Sequence, residues 1–201
     1  MCVICVKKKG VRMPNQSEIT AMWARNPDGA GFMFARNGKL TIRKGFMDLN
    51  SLMQALADAN IQESEPLVLH FRISTQAGIT PQMTHPFPVS AYYSELEKLE
   101  SCPKIGFAHN GIIARTSGKN ARYSDTALFV AKYVNELLRQ PCDVSKKALL
   151  EAIGALAPNN RFAVMNRYGK IATIGEFRER DGLLYSNLNH IGNYSWLCRK
   201  F

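Results

Sequence analysis

Strand-like runs gather towards both ends of this chain, and two helix-like segments lie between them. That order constrains the fold more than any single residue does. CVICV at 2–6 reads as a short buried strand. From Ala30 to Gly45, two alternating runs flank Asn37-Gly38, a dipeptide that suits a tight hairpin turn because both residues tolerate positive φ. Leu49, Leu52, Met53 and Leu56 then recur at helical spacing, with Asp48 or Asn50 placed to cap. PLVLHFRIS (66–74) reads as a central strand, YSELEKLES as a short helix, and KIGFAHNGII as strand, turn and strand start. Ser124–Gln140 predicts the clearest helix, ended by Pro141, and a second helix begins near Ser145. Three strand-like runs follow, RFAVMN, KIATIG and LLYSN, with turns at Tyr168-Gly169 and Asp181-Gly182. The expected class is α+β with largely antiparallel sheets, as one domain over 1–201. Regular β-α alternation and a phosphate-cradling glycine loop are both lacking, which argues against a dinucleotide-binding sheet.

At 201 residues the chain is long enough to bury a substantial single core. Apolar residues make up 46% and charged residues 21%, as in ordinary soluble proteins. No apolar run approaches the ~20 residues a membrane-spanning helix needs. Lys7, Lys8 and Lys9 follow the first apolar stretch, the reverse of a secretory signal. Five scattered cysteines, at 2, 5, 102, 142 and 198, do not form a disulfide pattern, so a reducing cytoplasm is the expected setting. Basic residues outnumber acidic ones by 26 to 16, and a net charge of +10 attracts polyanions at low salt. Apart from the lysine triplet and the mixed run Arg178–Arg180, the cations are spread out, and no RNA-recognition or zinc-finger signature occurs. Neither nucleic acid nor a membrane is expected as the main partner.

The Cys2–Cys5 spacing admits three readings: a metal or redox pair, two small buried residues, or a nucleophile at Cys2. A structural zinc site needs a second close pair of ligands, and His70, His85, His109 and His190 lie far apart in the chain. In a strand, moreover, residues three apart project from opposite faces. No metal is therefore expected, and Cys5 reads as a buried core residue. Cys2 has a further option. Removal of Met1 would leave thiol and α-amine on one carbon, with pKa values near ~8.5 and ~7.7–8.0. The amine can then take the thiol's proton, so that one residue supplies nucleophile and base.

Six segments extend this reading: MC at the start, RNPDGAGF (25–32), HFRISTQAG (70–78), THPF (84–87), AHNGII (108–113) and SDTALF (124–129). In order and separation they resemble the class II glutamine amidotransferase domain, one of the N-terminal-nucleophile hydrolases. The resemblance runs from residue 2 to about 130, and GLLYSN near the C-terminal end also looks similar. It departs from the common pattern at Val3, where the family has glycine, and in the wording of 76–84.

The resemblance implies a four-layer α/β/β/α sandwich and an amide hydrolase with Cys2 as nucleophile. Asn110 and Gly111 would form the oxyanion hole, although Asn-Gly is also a common turn. Arg72 would hold the substrate carboxylate through paired hydrogen bonds, unless it serves a structural ion pair. Ser74 and Thr75 would line the same pocket. Asp125 would hold the substrate ammonium, with helix capping as its structural rival. Asp28 and Gly29 match a family segment near the nucleophile, while His70, His85 and His109 would support or pack behind the contact residues. No cofactor is implied. The expected substrate is glutamine or another γ-glutamyl amide, releasing ammonia either to a separate synthase chain or to solvent. The alternatives are a hydrolase of a non-glutamine amide and a non-catalytic binding protein on the same fold.

Overall fold

The computed structural model describes residues 1–73, 79–118, 120 and 122–191, and its fold is α+β with two antiparallel sheets. At the middle of the larger sheet, β1 (Val3–Lys7) pairs with β4 (Leu67–Phe71), which pairs with β2 (Ala30–Arg36). Outside them lie β3 (Lys39–Phe46) and β6 (Glu100–Ser101) on one side, β11 (Leu183–Tyr185) and β10 (Arg178–Arg180) on the other. The order is β10-β11-β1-β4-β2-β3-β6. The smaller sheet runs β5 (Phe87–Pro88), β7 (Ile105–Asn110), β8 (Arg161–Asn166) and β9 (Ile171–Ile174).

Local chemistry accounts for the elements. Asn37 and Gly38 take φ of 51° and 73°, the pair of positive angles that lets β2 turn tightly into β3. Asp48 accepts from Ser51 N–H and starts α2 (Leu49–Ala59), whose Leu52, Ala55 and Leu56 are buried. A helix absent from the sequence reading, α1 (Gln16–Arg25), opens with a reciprocal cap between Asn15 and Glu18. A short α3 (Tyr93–Leu96) follows β5. The long helix expected at 124–140 is α4 (Asp125–Phe129), a wider π turn at Val130–Val134, and α5 (Asn135–Leu137). It stops before Pro141, which opens a 3-10 turn instead, and α6 begins at Lys147 and ends at Leu156. The strand start expected directly after Gly111 is instead a turn, with Thr116 and Ser117 N–H donating to Ile113 O. No described helix is long and apolar enough to cross a membrane.

The period-two alternation of β1 divides the core. Val3 and Cys5 face Ile19, Met22, Leu52 and Leu56 of α1 and α2. Ile4 and Val6 instead join Met33, Ile42 and Val68 in a cluster completed by Ala108, Ala163 and Met165 of the smaller sheet. The opposite face of that sheet buries Phe107, Phe162 and Val164 against Phe129, Val130, Val134 and Ile153. Each such side chain contributes roughly 1.5–3 kcal/mol when fully buried. Both faces of both sheets thus meet apolar neighbours, which is compatible with a sandwich and leaves polar chemistry to the strand ends.

Candidate active site at one end of the sheets

The ends of β1, β4 and β7 line a cleft holding about 620 Å³ of atom-free space, its open mouth included, and the ends of β2 and β8 pack against them. Cys2 precedes β1, Asp28 and Gly29 precede β2, Arg72 and Ile73 follow β4, and Gly111 follows β7. Asn160, just before β8, completes the set. Cys2, Arg72, Gly111 and Asp125 all line this cleft, together with His85, His109 and Tyr123. Residues up to 124 positions apart in the chain, Cys2 and Thr126, therefore share one lining.

Cys2 is half-buried, and its sulfur lies against the backbone of Ile73: the Ile73 N–H donates to Sγ at 3.4 Å, and the Ile73 carbonyl accepts from it at 3.5 Å. Burial pushes the thiol pKa up; the Ile73 N–H, the positive amino terminus and Arg72 pull the other way. Asn187 Nδ2 donates to the Cys2 carbonyl at 2.7 Å and fixes the backbone that carries the thiol. Cys5 differs in kind. It is buried beside Tyr185 in the core, and desolvation pushes its pKa up to about 12. The two thiols do not share a site.

Arg72 is buried and is aligned by its own backbone. Its N–H donates to Gly29 O at 2.8 Å, and its carbonyl accepts from Asp28 N–H at 3.0 Å. Gly29 takes φ of 114°, and a Cβ there would stand 2.7 Å from Thr84 Cγ2, so glycine is needed where the two segments meet. Burial lowers the Arg72 pKa from its ordinary value, and the charges of Cys2, Asp28 and Asp125 oppose that shift. Those three groups therefore share the guanidinium's electrostatic neighbourhood.

Asn110 is fully buried at the end of β7. Its amide nitrogen lies 2.8 Å from Ser186 Oγ, which also accepts from Ile4 N–H at 2.9 Å. Its Oδ1 has no partner among the described residues. Gly111 has φ of 144°, and a Cβ on it would lie 2.0 Å from Asn160 Oδ1. No side chain fits. Asn160 Nδ2 donates to the carbonyls of Ile112 (3.2 Å) and Pro158 (3.0 Å), so its Oδ1 must face His109 Nε2 at 2.7 Å. Asp125 binds the same loop from the other side. Oδ2 accepts from Ile113 N–H at 2.8 Å and Oδ1 from Thr126 N–H at 2.7 Å, while Ser124 supplies the helix cap.

The histidines form a buried relay whose tautomers follow from their partners. His109 Nε2 must carry a proton to donate to Asn160, so Nδ1 accepts from Thr126 Oγ1 at 2.7 Å. His70 Nε2 faces the His109 carbonyl at 2.9 Å and must also be protonated. The same N–H lies 2.9 Å from His85 Nδ1, leaving the His85 proton on Nε2. Burial pulls the His70 pKa down to about 3 and lowers those of His85 and His109, so all three are neutral near pH 7. With both ring nitrogens of His109 engaged and His70 behind the cleft wall, neither is placed as a general base.

Ser74 and Thr75 lie outside the described residues. Sequence reading did not single out Asn160, Thr126, Ser186 or Asn187, whose hydrogen bonds hold the His109–Ile112 segment and the Cys2 backbone. The GLLYSN segment was the available signal for the last two. The chain matches no protein-family model and no curated protein, so the meaning of the cleft rests on its residues.

Proposed function

We propose that this protein is an N-terminal cysteine amidohydrolase of the class II glutamine amidotransferase type, acting on glutamine or a related γ-glutamyl amide. One observation carries the reading: Cys2, Arg72, Gly111 and Asp125, a nucleophile, a cation, a backbone N–H donor and an anion, line a single cleft. The proposed fold is the four-layer α/β/β/α sandwich of N-terminal-nucleophile hydrolases. Its support is the sequence of three apolar clusters, from α1 and α2 through both sheets to α4 and α6.

Met1 is 64% exposed, open to an aminopeptidase, and Cys2 is small enough to follow a cleavable methionine. In the proposed reaction the freed amine takes the thiol proton, and Sγ attacks the side-chain amide carbon. The developing oxyanion receives the Gly111 N–H. The Asn110 amide, turned so that its carbonyl accepts from the Ser186 hydroxyl, offers its NH2 as the second donor. The ammonium of Cys2 then returns its proton to the leaving nitrogen, ammonia departs, and a γ-glutamyl thioester remains. Water, deprotonated by the same amine, attacks the thioester and releases glutamate and the thiol. Arg72 holds the substrate carboxylate and Asp125 its ammonium, and no cofactor enters the scheme. Ammonia passes to a separate acceptor chain or to solvent, and a cytoplasmic setting suits an unprotected thiol.

A second reading, hydrolysis of a non-glutamine amide, draws on Asp125. Its two oxygens already accept from Ile113 and Thr126, and a substrate ammonium must share them. Assays of ammonia release from glutamine by wild type, Cys2→Ala, Arg72→Ala and Asp125→Asn separate the readings. Glutamine turnover abolished by the first and raised in KM by the others supports the proposal. Turnover of another amide with no glutamine activity favours the second reading, and a mature protein that retains Met1 in its native host contradicts both.

A further inference from the structure

The strands that meet at the cleft also share their other ends, and there the surface is basic. Lys8 and Lys9 follow β1, Lys39 opens β3 after the β2 turn, and Lys104 precedes β7. Arg167 and Lys170 lie in the turn between β8 and β9. All six are exposed. The turns that carry them are in contact: Arg167 N–H donates to Lys104 O at 2.9 Å, Arg167 Nε to Gly38 O at 3.0 Å, and Lys9 Nζ to Tyr168 O at 3.4 Å. Lys39, Lys104 and Arg167 line one open hollow of about 420 Å³, its mouth included.

Elsewhere the charged surface is largely paired, as in Arg12 with Glu18, Arg122 with Glu97 and Lys146 with Asp143. Among the described residues, none of the six cations at this end makes an ion pair. Glu65 is held by Arg36, while Glu95 and Glu136, which share a cavity with Lys104, are paired with Lys98 and Arg139, and Glu63 carries an exposed carboxylate near Lys7. Six like charges on adjoining turns repel one another, and an anionic partner relieves that repulsion. Lys8 and Lys9 of the lysine triplet form one edge of this field, while Lys7 is buried and donates to the carbonyls of Gln62, Glu63 and Glu65.

Tyr168 sits within it, 61% exposed, with the Arg167 guanidinium 5.3 Å from its ring centroid. Cations that track a backbone around an open aromatic face are the chemistry of single-stranded nucleic acid binding. An anionic membrane fits less well, because surface binding there adds several apolar side chains to the charge. Met1, Met47 and Ile112, exposed apolar residues, follow or precede strands at the cleft end instead. We infer that this end of the sheets is a binding surface for single-stranded nucleic acid, with the cations on phosphates and Tyr168 stacking on a base. The inference is independent of the chemistry proposed for Cys2.

Fluorescence anisotropy of the full chain with a labelled oligothymidylate about 20 nucleotides long tests it. Wild type is expected to bind at about 50 mM salt and to weaken steeply by about 200 mM. The triple variant Lys9→Glu/Lys104→Glu/Lys170→Glu is expected to lose at least about 10-fold in affinity, while Arg25→Glu/Lys132→Glu/Lys147→Glu, with the same net charge, loses less than about 3-fold. Tyr168→Ala is expected to cost about 5-fold or more on the single strand and little on a duplex of equal length. Circular dichroism confirms folding of each variant. No binding by wild type, equal losses in the two triple variants, or binding to phosphatidylserine vesicles without binding to the oligonucleotide would overturn the inference.

Discussion

The two ends of the same strands use polar residues in opposite ways. At the cleft end, Arg72, Asn110, His85 and His109 are buried. His109, Asn160 and Asp125 there are oriented by specific donors and acceptors, and Gly111 has no room even for a methyl group. At the other end, Lys8, Lys9, Lys39, Lys104, Arg167 and Lys170 are exposed. Their charges make no ion pair among the described residues, so their sign and density matter more than any one contact. A buried, hydrogen-bonded group responds sharply to a single substitution and weakly to salt. An exposed cation responds in the reverse sense. The comparison makes the two regions separable by experiment.

The largest expected effect is at Cys2. Cys2→Ala should lower amide turnover by at least about 10³-fold with little change in thermal stability, because the thiol is half-buried and its contacts are weak. Turnover that survives would break the contrast at its strongest point. Asn110→Ala should lower kcat by about 10²–10³-fold, the usual effect of losing one oxyanion donor, read from steady-state rates. Gly111→Ala forces both a positive-φ residue and displacement of Asn160, and should lower unfolding free energy by about 2–3 kcal/mol in urea titrations.

Acid should act through the buried histidines. The His70 pKa falls from about 6.5 unfolded to about 3 folded, so below 6.5 the unfolded chain takes up a proton that the folded chain does not. Stability present at pH 7 is therefore lost on acidification, by about 2 kcal/mol from His70 alone at pH 5, with His85 and His109 shifting in the same direction. Urea midpoints that do not drop between pH 7 and 5 would contradict the neutral relay. The smallest effect belongs to the basic end: reversing Lys9, Lys104 and Lys170 should change folding stability by no more than about 0.5 kcal/mol per site. Salt at about 0.2 M should weaken oligonucleotide binding while leaving amide turnover nearly constant.

Local signals carried much of the fold. Asn37-Gly38 marked a hairpin because backbone angles alone decide that turn, and Leu52 and Leu56 marked α2 because its buried face repeats at helical spacing. Helix α1 was not legible: only Ile19, Ala21 and Met22 are buried, and its clearest mark is the cap between Asn15 and Glu18. In the cleft, Cys2, Arg72, Gly111 and Asp125 were recognisable within short motifs, and they share one lining. Asn160, Ser186 and Asn187 act across 51, 76 and 185 residues, on His109, Asn110 and Cys2, and a polar residue beside a strand carries no mark of such a partner. The basic end was hidden for the same reason. Lys39, Lys104 and Arg167 are far apart in sequence and line one cavity only because the antiparallel strands that carry them turn at the same end.

The central claim is that a freed Cys2 attacks a glutamine-type amide. The most direct measurement is peptide mass mapping after exposing protein from its native host to a diazoketone analogue of glutamine. The account predicts a chain beginning at Cys2 with one adduct on that residue, blocked by excess glutamine. A chain still carrying Met1, or a processed chain whose Cys2 stays unlabelled, would contradict it.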